Sequence, residues 1–234
     1  MARGLAESSD WAQRLIRAGE VRVKGQVIAQ PVTLVDDAED ITVDQPPKYV
    51  SRGGFKLEGA LDQFNIQVAG LVCADVGSST GGFTDCLLQR GAAKVYALDV
   101  GTGVLHWKLR NDPRVILREQ INVRYLGSLA EPINLAVIDV SFISLTLILP
   151  KVFGWMKPNG SIIALIKPQF EAERNQVGKG GIVRDPVVHQ AVIERIQNFA
   201  QQHHWLSIGL IDSPILGTDG NKEFLVRLAN EGSA

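Results

Sequence analysis

The sequence predicts an α/β chain: a doubly wound, mostly parallel sheet preceded by a small α+β segment. From residue 71 onward, short apolar runs alternate with amphipathic ones. Strands are expected at 71–75, 94–99, 114–118, 134–139, 161–167, 205–212 and 222–228, and helices near 82–90, 104–110, 144–156 and 187–203. At the head of this series, Val72–Asp85 (VCADVGSSTGGFTD) joins an apolar strand to a helical segment through a glycine-rich turn. The residues before the Pro46–Pro47 break lack the alternation, which sets them apart.

In that first segment, Ser8–Ser9–Asp10 caps a short helix, Trp11–Ala18, which ends at Gly19. Val21–Ile28 (VRVKGQVI) reads as a hairpin around Lys24–Gly25, and Ile41–Val43 as a further strand. A linker, 48–53, leads to an amphipathic helix, Gly54–Phe64, with Phe55, Leu57, Leu61 and Phe64 as its apolar positions. The expected organisation is therefore a small domain over 1–47, the linker, and a large domain over 54–234. Arg14, Arg17, Arg22 and Lys24 gather across helix and hairpin, and Asp36, Asp37, Glu39 and Asp40 follow in a loop. A solvated face is one reading of such a cluster. RNA contact is preferred, because Arg14 and Arg17 share a helix face beside the hairpin; Arg3 and Arg52 are further candidates.

Composition narrows the function classes. Lys plus Arg number 24 against 25 Asp plus Glu, so any nucleic-acid contact has to come from local patches. Cys73 and Cys86 flank the glycine loop without metal-ligand spacing and are expected to be buried thiols of a reducing compartment. His106, His189, His203 and His204 are scattered, so no metal site is expected. Met1–Asp10 is polar, and the longest apolar stretch, near Phe142–Pro150, is far too short to span a bilayer. A soluble, cytoplasmic protein is the expectation.

The glycine loop points to a ligand. Glycine lets a ligand approach the backbone and tolerates positive φ, and Lys94–Asp99 ends in an acid suited to ribose hydroxyls. The order G-S-S-T-G-G differs from the G-x-G-x-x-G of dinucleotide folds. The loop carries no cation and follows Asp75, which suits a cationic ligand such as S-adenosylmethionine better than a pyrophosphate. An ordinary tight turn is the alternative. Further charges stand at strand ends, where open α/β sheets place ligands: Asp139 closes LAVIDV, Lys167 closes SIIALIK, and Glu223 opens EFLVRL. Asp139 and Lys167, meeting there, would form an acid–base pair.

Eight stretches span nearly all of residues 51–228: SRGGFKLEGAL, DVGSSTGGFTD, LDVGTGVLHWKLR, INVRYL, VIDVSFISL, LIKPQFE, VGKGGIVRDP and DGNKEFL. Together they resemble the TlyA-type (hemolysin A) family, an S4 RNA-binding domain joined to an FtsJ-like 2′-O-ribose methyltransferase domain. GLAESSDWAQRLIRAGEVRVKGQVI is similar to the S4 motif but begins late, so a shortened S4-like domain with an incomplete first helix is expected. The resemblance implies a Rossmann-like methyltransferase sheet, S-adenosylmethionine as cofactor, and ribosomal RNA cytidines, free or in ribosomal subunits, as substrates. It implies that Lys56, Asp139, Lys167 and Glu223 form the catalytic set, with Lys167 as base. Asp75, Gly77, Gly81 and Gly82 match the loop that holds the methionine part. Ser78, Ser79, Thr80 and Phe83 of that loop, and Val100 beside the ribose acid Asp99, are the further expected cofactor contacts. Asn122 matches the segment that meets the adenine, and Asp139 the neighbourhood of the sulfonium. A membrane-lytic protein, a non-catalytic RNA-binding module and a reductase on the same fold are the rival readings.

Overall fold

A computed structural model describes residues 5–6, 9–17, 19–36, 38–44 and 48–231, and only the backbone of Asp10, Trp11 and Arg14. The expected cap at Ser8 and the Pro46–Pro47 break lie outside the described residues. The chain divides into two compact units, Met1–Lys48 and Tyr49–Ala234.

The first unit holds helix α1 (Ser9–Arg17) and strands β1 (Val21–Val23), β2 (Gln26–Ile28) and β3 (Ile41–Val43) in the order β2-β1-β3, all antiparallel. The β1–β2 turn needs positive φ at both central residues, and Lys24 (φ 48°) and Gly25 (φ 80°) supply it. Leu15 of α1 and Val23 of β1 are buried. Charges that the sequence separates come together here. Arg22 lies opposite Thr42 in the ladder, so Asp44, just past β3, returns to the Arg22 guanidinium at 2.9 Å. Lys24 meets Glu39 at 2.8 Å.

The second unit is built on seven strands in the order β6-β5-β4-β7-β8-β10-β9. These are β4 (Val72–Val76), β5 (Lys94–Leu98), β6 (Val115–Arg118), β7 (Ile133–Ile138), β8 (Met156–Ile166), β9 (Trp205–Asp212) and β10 (Phe224–Asn230). Neighbours from β6 to β8 pair in parallel, and β10 runs against both β8 and β9. Helices α2 (Gly53–Gln63), α3 (Gly82–Gln89), α4 (Trp107–Arg110), α5 (Leu149–Phe153), α6 (Pro168–Glu171) and α7 (Pro186–Gln202) complete the unit. It is the expected Rossmann-like sheet. Side chains alternate across a strand, so Cys73 joins the core with Leu57, Leu61 and Leu87, while Ala74 joins the opposite core with Val192 and Ile196. Both cysteines are buried.

Two elements depart from expectation. The helix expected near 144–156 is instead a 3₁₀ turn, Leu145–Leu147, followed by α5. Pro150, with no N–H to donate to a preceding turn, sits in the first turn of α5, so the helix starts afresh there. Strand β8 begins at Met156 rather than 161, because the strand continues through Pro158–Asn159–Gly160 across a register shift opposite Ile133–Leu135.

Candidate active site

The sheet topology gathers the charged strand ends. From β4 the chain steps outward to β5 and then crosses to β7 on the other side, so a crevice opens beyond the ends of β4 and β7. Asp139 directly follows β7 and Lys167 directly follows β8. Because β10 is antiparallel, its start pairs with the end of β8, Phe224 with Ile166, which brings Glu223 to the same rim. Lys56 comes from the buried face of α2, beside Leu57, Ala60 and Leu61. All four line one cavity of about 670 Å³.

Within it the charges pair. Lys167 Nζ lies 2.6 Å from Asp139 Oδ1 and donates to Ser141 Oγ at 2.9 Å. Lys56 Nζ lies 2.6 Å from Glu223 Oε2. Both lysines are only 9 % exposed. An unpartnered buried charge costs several kcal/mol, on the order of 3–5 kcal/mol when a partner is removed, so the matched acids make the two ammonium groups tolerable.

A smaller cavity of about 350 Å³ adjoins the first, sharing Gly77, Ser79, Asp139, Ser141 and Phe142. Its walls are mostly apolar, with Leu98, Ile121, Val123, Val140 and Ile148 among them. Asp99, Val100 and Asn122 line it. The Asp99 carboxylate accepts from the Ser79 and Gly101 N–H groups, each at 2.7 Å, which folds the glycine loop back onto the end of β5. The Asn122 side chain accepts from the Arg124 N–H at 3.1 Å.

The remaining loop residues divide. Ser78, Thr80, Gly82 and Phe83 line the larger cavity, and Ser78 Oγ is buried without a hydrogen-bond partner among the described residues. Gly81 faces Leu105 and Leu109 instead. Asp75 is fully buried behind the loop and lines neither cavity, and its Oδ2 accepts from Thr84 Oγ1 at 2.6 Å. Burial, only partly offset by that hydroxyl, pushes the Asp75 carboxyl from its ordinary 3.8 up to about 7. A raised pKa makes its contribution to stability complete below about pH 4 and lost as pH rises to about 7. Asp75→Asn, which can still accept from Thr84, is therefore expected to flatten the pH dependence of Tm across that window. Parallel melting curves for the two proteins would refute this.

The donor set fits a nucleoside carrying a positive charge: the Asp99 carboxylate able to accept from ribose hydroxyls, apolar walls for a flat ring, Asp139 at the junction of the cavities, and a loop without cations. It does not fit a pyrophosphate, for which those carboxylates would be repulsive neighbours.

Of the residues expected to touch RNA, Arg52 lines the larger cavity and donates to the Leu216 carbonyl at 3.1 Å. Arg17 is exposed, and Arg22 and Lys24 hold the ion pairs described above. Arg3 and the side chain of Arg14 lie outside the described residues. Sequence reasoning overlooked Ser141, Phe142, Gln169 and Phe170, which come soon after Asp139 and Lys167 and line the larger cavity. Tracing each strand end two or three residues further would have found them. Gln169 Nε2 reaches Glu223 Oε1 at 3.5 Å. Phe142 is 89 % exposed, has φ +62°, and lies 4.9 Å from the Phe170 ring. Left-handed backbone at a bulky residue costs about 1–3 kcal/mol and persists only where the surroundings enforce it.

A model of the FtsJ-like methyltransferase family matches residues 49–230. The chain is 46% identical over 233 residues to the 16S/23S rRNA (cytidine-2′-O)-methyltransferase TlyA of Mycobacterium tuberculosis (strain ATCC 25618 / H37Rv), covering 98% of this chain and 87% of that one. It is 43% identical over 227 residues to Hemolysin A of Brachyspira hyodysenteriae, covering 96% and 95% respectively. Among solved structures, a Lactococcus lactis protein described as a hemolysin superposes with a TM-score of 0.77 at 53% identity, covering 80% of this chain and 91% of its own.

Proposed function

The chain belongs to the FtsJ-like methyltransferase family, and from that premise we propose that it methylates the ribose 2′-hydroxyl of a cytidine in ribosomal RNA. The observation that carries the reading is the convergence of Lys56, Asp139, Lys167 and Glu223 on one cavity, joined at Asp139 to a second cavity suited to a nucleoside. Bound S-adenosylmethionine supplies a methyl group made electrophilic by a sulfonium. Asp99, Val100 and Asn122 would hold its adenosine, and Gly77–Thr80, Gly82 and Phe83 its amino-acid part, with Asp139 beside the positive charge.

A ribose hydroxyl is a weak nucleophile and has to lose its proton as it attacks. Lys167 is the group placed to accept that proton. Asp139 and Ser141 hold its Nζ in place. Lys56 donates to the hydroxyl oxygen as negative charge develops there, and Glu223 fixes the direction of the Lys56 ammonium. Orientation in a half-enclosed cavity supplies much of the acceleration.

The unit Met1–Lys48 is the S4-like RNA-capturing part of this reading. Its Arg22–Asp44 and Lys24–Glu39 pairs are exposed or half-exposed, so solvent screens them and they hold the unit together only weakly, and RNA phosphates can displace the acids. Among the described residues no helix is long and apolar enough to cross a membrane.

The test is direct. Unmodified ribosomal RNA and isolated subunits are incubated with the protein and methyl-labelled S-adenosylmethionine, and the label is mapped. One cytidine ribose carrying the label at O2′ is the expected result. Label on a base, or none on either substrate, refutes the reading.

A further inference from the structure

Glu171 is the one buried carboxylate in the α6–α7 region that the mechanism above leaves unused, and its surroundings are unusual. It is 4 % exposed, yet it accepts from the Leu145 N–H at 2.6 Å, from Ser144 Oγ at 2.7 Å and from the Arg195 guanidinium at 2.5 Å. Arg195 is itself half-exposed, so it neutralises the charge from the surface. The other two bonds go inward, to the start of the 3₁₀ turn that ends the loop after β7.

That loop runs from Asp139 to Ser144. At its near end, Asp139 and Ser141 hold Lys167. At its far end, Ser144 and Leu145 are held by Glu171. Lys167 and Glu171 are in turn the two ends of one short helical turn. Helix α6 starts immediately after Lys167, its first residue is Pro168, and the Phe170 and Ala172 N–H groups donate to the Lys167 and Pro168 carbonyls at 2.9 and 2.8 Å. Two chain segments are thus pinned to each other at two points, with the Phe142–Phe170 contact between them. Between the pins, Phe142 has its left-handed backbone. Without the far pin, only the ring contact with Phe170 keeps Phe142 from relaxing to an ordinary φ, and relaxation there would swing Ser141 and Asp139 relative to Lys167.

We propose that Glu171 is a positioning residue for methyl transfer: by anchoring Ser144 and Leu145 to the turn that begins at Lys167, it holds the Asp139–Ser141 segment against the Lys167 amine. It touches neither cavity and acts only through that loop. The inference rests on the methyl-transfer reading given above.

Single-turnover and steady-state methylation of unmodified ribosomal RNA with labelled S-adenosylmethionine, alongside calorimetry of cofactor binding, test it. Glu171→Ala is expected to lower kcat at least tenfold, with KM for RNA and cofactor affinity within about threefold of the parent, since the binding surfaces stay. Glu171→Gln, which can still accept from the Leu145 N–H and bond to Ser144, is expected to recover kcat to within a few-fold. Ser144→Ala removes one of the two inward bonds at a partly exposed site and is expected to lower kcat several-fold. Parental kcat in Glu171→Ala overturns the proposal, as does a Glu171→Gln protein no more active than the alanine variant. If Glu171→Ala does not fold, Ser144→Ala decides: parental kcat there overturns the proposal and a several-fold loss supports it. A parent protein that transfers no methyl group to RNA refutes the functional reading instead, so the two failures are distinct.

Discussion

Lys167→Ala is expected to reduce methyl transfer about 10²–10⁴-fold, the range lost with a general base, while S-adenosylmethionine affinity stays near the parent value. The separation follows from geometry. Lys167 lines the larger cavity but not the smaller one where adenosine is expected, and its Nζ is occupied by Asp139 and Ser141. Removing it leaves the Asp139 carboxylate free beside the expected position of the sulfonium, which does not weaken the binding of a cation. Lys167→Arg sharpens the test. A guanidinium preserves the positive charge and can pair with Asp139, but it does not give up a proton in proteins. Inactivity of both variants with intact calorimetric binding is the expected pattern. Activity retained by the arginine variant would mean that position 167 supplies charge rather than proton acceptance, and activity within a few-fold of the parent in the alanine variant would remove Lys167 from the chemistry.

The charged rim of the larger cavity was legible because strand ends are legible. An acid or amine placed directly after a run such as LAVI or IIALI has to emerge where the strand leaves the core, and parallel strands all leave at one edge. That reasoning located Asp139 and Lys167. Glu223 required more, since it lies at a strand's beginning; only the antiparallel insertion of β10 between β8 and β9 brings it to the same edge. The conformation and the long-range pairing of the loops beyond the strand ends were not legible. The left-handed Phe142 and the pairing of Glu171 with a loop 26 residues earlier are tertiary facts without a local signal. The same holds in the first unit, where Asp44 returns to Arg22 through strand pairing and so softens a charge segregation obvious in the sequence. Element edges failed at prolines: the helix expected over 144–156 runs through Pro150, which instead sits in the first turn of a new helix, and the strand expected from 161 already includes Pro158–Gly160.

The second large effect is expected at Gly77. Its φ is +87°, and a Cβ there would collide with the Asp139 carbonyl oxygen and lie 2.9 Å from its carbon. Both atoms are backbone, so no side chain can swing aside. Gly77→Ala therefore carries two costs: about 1–2 kcal/mol for a left-handed alanine and about 1–3 kcal/mol for overpacking against main chain. The second cost has a functional address. Asp139 N–H donates to the Val76 carbonyl at 2.9 Å, so the end of β4 and the start of the Asp139 loop are already hydrogen-bonded, and a Cβ wedged between them displaces the residue that holds Lys167. Gly70 separates the two effects, because it has φ +77° and a Cβ added there would meet nothing within 4 Å. Gly70→Ala is expected to lower Tm through conformation alone and to leave methyl transfer at the parental rate. Gly77→Ala is expected to lower Tm further and to cost methyl transfer at least a hundredfold, with weakened cofactor binding because the same residue lines both cavities. Differential scanning calorimetry and a single-turnover assay on the two proteins decide it: equal losses of Tm, or a Gly77→Ala enzyme within tenfold of the parent, would show that the loop can shift away from Asp139 without disturbing the site.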